Sequence, residues 1–175
     1  MAKVRNFIKI INAIKDWPYY LSDFWIKKKG IFSYQTRDGN LFYVDIGTDD
    51  RYILNEIYVH RVYFPSGFQI KRDDIVLDIG AHIGIFSLYA SKMAKNGKVY
   101  SFEPMEENFN KLIRHIKINK ITNVFPFKLG VSDKNGKKEL YLSDKKNSGG
   151  HSFFNAKNGK KQIARTININ KIMKD

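Results

Sequence analysis

A short apolar run followed by a glycine-containing turn constrains the fold more than any other feature of this sequence. Residues 75–79 read IVLDI, which is typical of a central parallel strand buried on both faces. Residues 80–84 supply a turn, and apolar side chains then recur at helical spacing between Ile85 and Met93. A strand, a tight turn and a helix in this order predict the beginning of a β–α–β unit.

The same order of elements repeats further along the chain. Residues 98–102 (KVYSF) predict a second strand, and apolar residues three and four positions apart between Phe109 and Ile116 predict an amphipathic helix. Residues 124–128 predict a third strand. The resulting βαβαβ order favours an α/β, Rossmann-like fold with a parallel sheet and right-handed crossovers. Residues 137–169 then predict peripheral strands around a polar loop.

The N-terminus predicts an amphipathic helix with basic residues between its apolar positions. Its apolar stripe consists of Val4, Phe7, Ile8, Ile11 and Ile14. We expect this stripe to pack on the domain as a cap, because most such stripes are core faces. Peripheral contact of residues 3–26 with a membrane surface is the alternative.

A hairpin and a second helix follow this segment. Two short aromatic and β-branched runs between Phe32 and Ile46 are joined at Asp38–Gly39, a pair that favours a type I′ turn. Thr48 and the acidic residues after it predict the start of a helix that runs to Phe64. We therefore predict a helix-and-hairpin extension over residues 1–49 and a Rossmann-like domain over residues 50–175.

The charge of the chain is concentrated at its ends. The 175 residues carry 31 Lys plus Arg against 17 Asp plus Glu, and the excess is +5 over residues 1–30 and +9 over residues 120–175. Lysine supplies 24 of these cations, which favours a solvated surface over phosphate recognition by arginine. The absence of cysteine excludes a disulfide scaffold. Because no run reaches the ~18 apolar residues of a membrane span and no signal-peptide pattern is visible, we expect a cytoplasmic protein.

The turn after the first strand suggests a ligand. In a dinucleotide-binding turn the second glycine lets the backbone approach a pyrophosphate, and His82 stands at that position here. Backbone N–H groups at the following helix start favour a carboxylate, whereas Asp78 favours a cation. Glu103 lies 19 residues beyond Gly84, near the offset at which an acidic residue accepts hydrogen bonds from ribose hydroxyls. An amino-acid end joined to a ribose indicates S-adenosylmethionine.

The segments DIVLDIGAHIGIFSLYASK, VYSFEP and EENFNKLIRHIKIN resemble the FkbM family of class I S-adenosylmethionine-dependent methyltransferases. The resemblance covers roughly residues 50–170. It implies a cofactor site with the methionine end at the turn, the ribose at Glu103, and the adenine near the segment after the third strand. The residues expected in this site are Asp78, Gly80, Ala81, His82, Gly84, Glu103, Pro104, Val131 and Ser132.

The resemblance also implies that family members continue beyond the point where this chain ends, so that the C-terminal half of the sheet is expected to be missing. The implied activity is O-methylation of a hydroxyl on a small molecule or a glycan. An RNA methyltransferase and a cofactor-binding fragment without turnover are the alternatives. A hydroxyl acceptor needs a base, for which His151 is the candidate. No His or acidic cluster has metal-ligand spacing, so no metal is expected.

Overall fold

The computed structural model describes residues 2–25, 30–64, 67–142, 150–153 and 160–172. Contacts divide the chain into two compact units, Met1–Gln69 and Ile70–Asp175. Residues 50–69 therefore group with the N-terminal unit, although the sequence prediction starts the Rossmann-like domain at residue 50. None of the helices in the described ranges is long and apolar enough to cross a membrane.

The N-terminal unit contains two helices, a hairpin and a further helix. The elements are α1 (Ala2–Ala13), α2 (Trp17–Trp25), β1 (Ile31–Gln35), β2 (Leu41–Asp45), α3 (Asp50–Leu54) and a π-helical segment (Asn55–His60). Strands β1 and β2 pair antiparallel, as predicted.

Two details of this unit differ from the sequence prediction. The hairpin loop spans residues 36–40 and has a positive φ only at Gly39, so the predicted type I′ turn, which needs two such residues, is wrong. The Asp38 carboxylate instead accepts hydrogen bonds from the Thr36 hydroxyl and the Asn40 backbone. The helix predicted to reach Phe64 ends at His60, because Arg61 adopts a left-handed conformation with φ 55°.

Helix α1 packs against the π-helical segment with a face other than the predicted one, and its C-terminal end is hydrogen-bonded to the hairpin. Its buried side chains are Ile10, Ala13 and Ile14, and the Arg37 backbone N–H donates to the Ala13 carbonyl. Of the predicted stripe, only Ile14 is buried, whereas Val4, Phe7 and Ile8 are exposed. The expectation that the whole stripe packs as a cap is therefore wrong for the N-terminal half of the helix.

The C-terminal unit contains the predicted βαβαβ arrangement. Strands β3 (Ile75–Ile79), β4 (Lys98–Phe102) and β5 (Val124–Phe127) form a parallel sheet in the order β3-β4-β5. Helices α4 (Ile85–Met93) and α5 (Glu106–Ile118) connect them. Ala90 of α4 packs on Val99 and Val124 in the core beside this sheet.

Strand β3 is less buried than its sequence predicts. Ile75 and Ile79 are both exposed, and the described strands pair with β3 on its β4 side alone. The prediction that this run is buried on both faces is therefore wrong, because Ile75 and Ile79 lie on one face of the strand and the described residues leave the ends of that face uncovered.

A second sheet follows in the same unit. Strands β6 (Gly130–Ser132), β7 (Gly136–Tyr141) and β8 (Lys161–Asn168) are arranged in the order β6-β8-β7, and a short helix α6 (Ile169–Ile172) follows. Strand β8 runs parallel to β6 and antiparallel to β7. Strands β7 and β8 are the predicted peripheral strands, whereas β6 lies before the predicted range of residues 137–169.

Candidate functional site

The turn between β3 and α4 is tied to the end of β4. The backbone N–H groups of Gly80 and Ala81 both donate to the Phe102 carbonyl, at 2.9 and 3.0 Å. The chain then enters α4 through Gly84, whose φ is 89°. A Cβ at Gly84 would collide with the side chain of Leu112 in α5, so a glycine is needed both for the backbone conformation and for close helix packing.

The Glu103 carboxylate connects the turns that follow β3 and β4. Its Oε2 accepts a hydrogen bond from the His82 backbone N–H, and its Oε1 accepts one from the Met105 backbone N–H, both at 2.8 Å. Burial raises the pKa of Glu103 to about 7, and the two backbone hydrogen bonds oppose this rise. The carboxylate is thus fixed in orientation, and each oxygen retains a lone pair for a further donor.

Asp78 lies close to this turn but faces other protein groups. Its carboxylate accepts a hydrogen bond from the Ser87 hydroxyl, which in turn lies 2.7 Å from the Ser101 hydroxyl. Burial raises the pKa of Asp78 to about 6, and the bond to Ser87 opposes this rise. This buried network joins β3 and β4 to α4.

A cavity of about 180 Å³ lies beside Glu103. Its walls come from the ends of β3 and β4, the start of α5, and the second sheet. The lining residues are Ile79, Gly80, His82, Phe102, Glu103, Pro104, Asn108, Gly130, Val131, Leu140, His151 and Phe153.

The cavity brings together part of the predicted cofactor set. Five of the expected residues line it: Gly80, His82, Glu103, Pro104 and Val131. Four do not: Asp78, Ala81, Gly84 and Ser132. The Ser132 hydroxyl instead donates to the Asp133 carboxylate.

The turn N–H groups are also less available than the sequence suggests. The amides of Gly80, Ala81, His82 and Gly84 all donate to oxygen atoms of the protein itself. The Glu103 carboxylate, which lies after β4 and contacts this turn, therefore remains better able to bind a ligand than the amides of the turn.

His151 lies at the cavity although it is distant in sequence from the turn. The adjacent Ser152 exchanges two backbone hydrogen bonds with Tyr141, at 2.8 and 3.1 Å, which fixes this short segment against β7. Burial lowers the pKa of His151, and the nearby Glu107 opposes this effect. The lowered pKa favours the neutral form of the ring, which is the form that can accept a proton.

The other histidines and two further candidates lie elsewhere. His115 is buried, and its Nδ1 lies 2.7 Å from the Ile83 carbonyl, where it braces the turn. His60, Glu56 and Tyr63 are exposed on the N-terminal unit. Across the described ranges, no three His, Asp or Glu side chains lie close enough together to bind a metal ion.

Two cavity residues carry no recognisable sequence signal. Asn108 is a polar residue in the first turn of α5 and is nevertheless buried in the cavity wall. The Phe153 ring packs on Gly130 so closely that a Cβ at this glycine would collide with it. The sequence prediction for α5 is based on apolar spacing and so does not include Asn108, and the contact of Phe153 depends on tertiary packing.

A second depression of about 450 Å³ has a basic wall and shares no residue with the cavity. Lys137 and Arg165 are direct cross-strand neighbours in β7 and β8, and Lys171 of α6 joins them. This depression thus contains a cluster of cations from the C-terminal segment in which the positive charge is concentrated.

Comparison with known proteins identifies the family. A model of the FkbM methyltransferase domain matches residues 78–175, which is more than half of the chain. The chain belongs to the FkbM methyltransferase family. The match begins at Asp78 and includes Glu103 together with every residue of the cavity wall.

Three similar proteins illustrate the relationship. The 31-O-demethyl-FK506 methyltransferase FkbM of Streptomyces tacrolimicus is 29% identical over 126 residues, covering 69% of this chain and 45% of that protein. The AMB antimetabolite synthetase AmbE of Pseudomonas aeruginosa is 42% identical over 57 residues, which cover 33% of this chain and 3% of that protein. A crystal structure of M. jannaschii TYW2 in complex with AdoMet is 27% identical in sequence, with a TM-score of 0.42. The match covers 57% of this chain and 43% of that chain. This FkbM chain thus spans less than half the length of both curated relatives.

Proposed function

We propose that the Glu103 cavity binds S-adenosylmethionine and that the protein transfers its methyl group to an acceptor hydroxyl. The observation that carries this proposal is the Glu103 carboxylate, which lines the cavity and is oriented by two backbone N–H groups. A carboxylate at the end of the second parallel strand is suited to accept two hydrogen bonds from a ribose diol. Membership of the FkbM methyltransferase family also supports this proposal.

The cavity of about 180 Å³ is smaller than the usual ligand pocket of about 300–1,000 Å³, so we propose that its remaining walls hold the nucleoside part of such a cofactor and not the whole molecule. Phe102, Leu140 and Phe153 provide an apolar surface for a flat base, and Val131 adds to it from β6. Asn108 contributes a buried amide beside Glu103. Asp78 has no place in this wall, so we propose that it positions the turn through Ser87 and does not itself contact the ligand.

The cofactor and the protein would contribute different parts of the reaction. When bound, S-adenosylmethionine supplies a methyl group activated by a sulfonium. The protein needs to align the acceptor oxygen and to exclude water, and a hydroxyl acceptor must also lose its proton. We propose that the His151 ring would take this proton as the methyl group passes from the sulfonium sulfur to the acceptor oxygen, so that the C–S bond breaks, the C–O bond forms and S-adenosylhomocysteine is released. The acceptor that we propose is a hydroxyl of a small molecule or sugar, supported by the name of the Streptomyces relative.

The role of His151 has a separate test. With an acceptor that the protein methylates, His151→Gln is expected to lower kcat about 10²- to 10⁴-fold, the usual contribution of general base catalysis. The affinity for the cofactor should remain within about twofold, because Glu103 and its backbone donors are unchanged. Turnover that survives the substitution with an unaltered pH profile would exclude His151 as the base.

Calorimetry with S-adenosylmethionine and S-adenosylhomocysteine tests the cofactor proposal. We expect binding by the unmodified chain and a loss of about 1–3 kcal/mol in Glu103→Ala, because hydrogen bonds to a desolvated carboxylate are removed. Glu106→Ala is the matched control, since Glu106 is exposed and outside the cavity wall. Failure of the unmodified chain to bind either compound at millimolar concentration would refute the proposal.

A further inference from the structure

Helix α1 presents an apolar surface to solvent that its contacts with the hairpin leave uncovered. Val4, Phe7 and Ile8 are 62%, 41% and 51% exposed, and we call these three residues the α1 face. They are adjacent on the helix, at spacings of three and four residues. Large apolar side chains grouped in this way indicate an interaction surface, whereas single exposed ones do not.

The orientation of the α1 face is fixed by the other end of the helix. Ile10, Ala13 and Ile14 are buried against the N-terminal unit. The Ala13 carbonyl accepts a bond from the Arg37 backbone N–H, and the Ile11 carbonyl accepts one from the Arg37 side chain, both at 2.9 Å. Helix α1 therefore cannot rotate to bury the α1 face without losing this packing.

Basic and aromatic groups surround the α1 face. Arg5 and Lys9 lie one helical turn apart beside it and line the same shallow depression as Val4 and Ile8. The first acidic residue of the chain is Asp16, which lies beyond the end of α1. The Phe7 ring also contacts Trp17 edge to face, with ring centroids 5.4 Å apart. Aromatic rings with flanking cations are the composition of helices that lie in a membrane interface.

We propose that the α1 face inserts into the surface of an anionic phospholipid membrane, with Arg5 and Lys9 at the level of the lipid phosphates. A helix of 12 residues is about 18 Å long, too short to cross a hydrocarbon core of about 30 Å. It therefore lies in the plane of the interface. This proposal is independent of the proposed function, because it concerns the N-terminal unit only.

The charge of α1 argues against self-association through the same face. A second copy docked on this surface would bring Arg5 and Lys9 of both chains together with no acidic side chain of α1 to neutralise them. Anionic lipid headgroups complement these cations and cover the apolar residues at the same time.

Vesicle co-sedimentation of the full chain tests the proposal. We expect binding to vesicles of phosphatidylcholine mixed with phosphatidylglycerol, weaker binding to phosphatidylcholine alone, and weaker binding as salt is raised. Ile8→Asp should lower the partition coefficient at least about tenfold, because it removes an inserted apolar side chain. Val62→Asp makes a similar change at a residue of the same unit that is 61% exposed, and it should leave binding unchanged.

A second variant distinguishes loss of membrane binding from loss of folding. Arg5→Glu combined with Lys9→Glu reverses one exposed and one half-buried charge and replaces no apolar residue, and it should lower binding to the mixed vesicles roughly tenfold, since each cation near an anionic surface contributes about 1 kcal/mol. Absence of binding to the mixed vesicles would overturn the proposal. So would equal losses in Ile8→Asp and Val62→Asp, or a dimer in solution that Ile8→Asp dissociates.

Discussion

Two buried carboxyl groups, Asp78 and Glu103, flank the turn at which the ligand chemistry is expected. The Glu103 oxygens each accept one backbone N–H and line the cavity, which makes this side chain the proposed ribose acceptor. Asp78 is satisfied by Ser87 and lies outside the cavity wall. Burial raises the pKa of both carboxyls, so each one weakens the fold when it is ionised.

Asp78→Asn is expected to stabilise the protein at alkaline pH. The folded protein binds the Asp78 proton more tightly than the unfolded chain does, with a pKa of about 6 against 3.8. The contribution of this group to the free energy of unfolding therefore falls as pH rises from about 4 to about 6, and then stays low. Two pKa units correspond to about 3 kcal/mol.

Urea unfolding of both proteins at several pH values measures this effect. The asparagine oxygen still accepts the Ser87 hydrogen bond, so we expect a gain of about 1–3 kcal/mol near pH 8 that vanishes near pH 4. A gain that is equal at both pH values, or a loss near pH 8, would show that ionisation of Asp78 does not strain the fold.

Sequence reasoning reaches some of these residues and misses others for identifiable reasons. Glu103 is predictable because the order of strands fixes where the second strand ends, and an acidic residue at that point faces the turn of the first. Asn108 and Phe153 are not predictable, because their burial depends on how the second sheet packs beside the first. The hydrogen bond from Ser87 to Asp78 likewise depends on how α4 packs against β3.

At the scale of elements, the βαβαβ unit follows from periodicity because each helix and strand has one clear apolar pattern. The buried face of helix α1 does not follow from periodicity, because the helix has apolar residues on two faces. Ile10 and Ala13 lie on one face, and Val4 and Ile8 lie on the other. Its spacing alone cannot decide which of them is buried. The hydrogen bonds from Arg37 of the hairpin loop to the Ala13 and Ile11 carbonyls fix the orientation of the helix and so determine which face is buried.

Close packing of α4 on α5 predicts that Gly84 cannot be replaced. A Cβ at Gly84 meets Leu112, and the φ of 89° adds backbone strain, so Gly84→Ala should cost about 2 kcal/mol or more. Gly39→Ala is the matched control, because Gly39 has a φ of 94° but open space around its Cα, and only backbone strain of about 1 kcal/mol is expected there.

Chemical denaturation of the two variants separates the collision from the strain. Adding Leu112→Ala to Gly84→Ala should cost less than the sum of the two single changes, because the smaller side chain makes room for the new methyl group. Additive costs, or equal costs in the Gly39 and Gly84 variants, would refute the packing argument.

At the scale of the whole molecule, the two units have separable roles in this account. The cavity lies wholly within Ile70–Asp175, and the α1 face lies within Met1–Gln69. The assignment of residues 50–69 depends on contacts that a linear reading of the chain does not reveal. The excess of cations is concentrated at both ends of the sequence, and none of the residues that line the cavity is Lys or Arg.

A ligand that lacks one ribose hydroxyl tests whether Glu103 binds a ribose diol. Calorimetry at about pH 8, above the Glu103 pKa of about 7, compares S-adenosylhomocysteine with its 2′-deoxy analogue. For the unmodified chain we expect a loss of about 1.5–3 kcal/mol with the analogue, the usual contribution of a hydrogen bond to a charged group. In Glu103→Ala the two ligands should bind equally. The same preference for the hydroxyl in both proteins would show that Glu103 does not bind the diol.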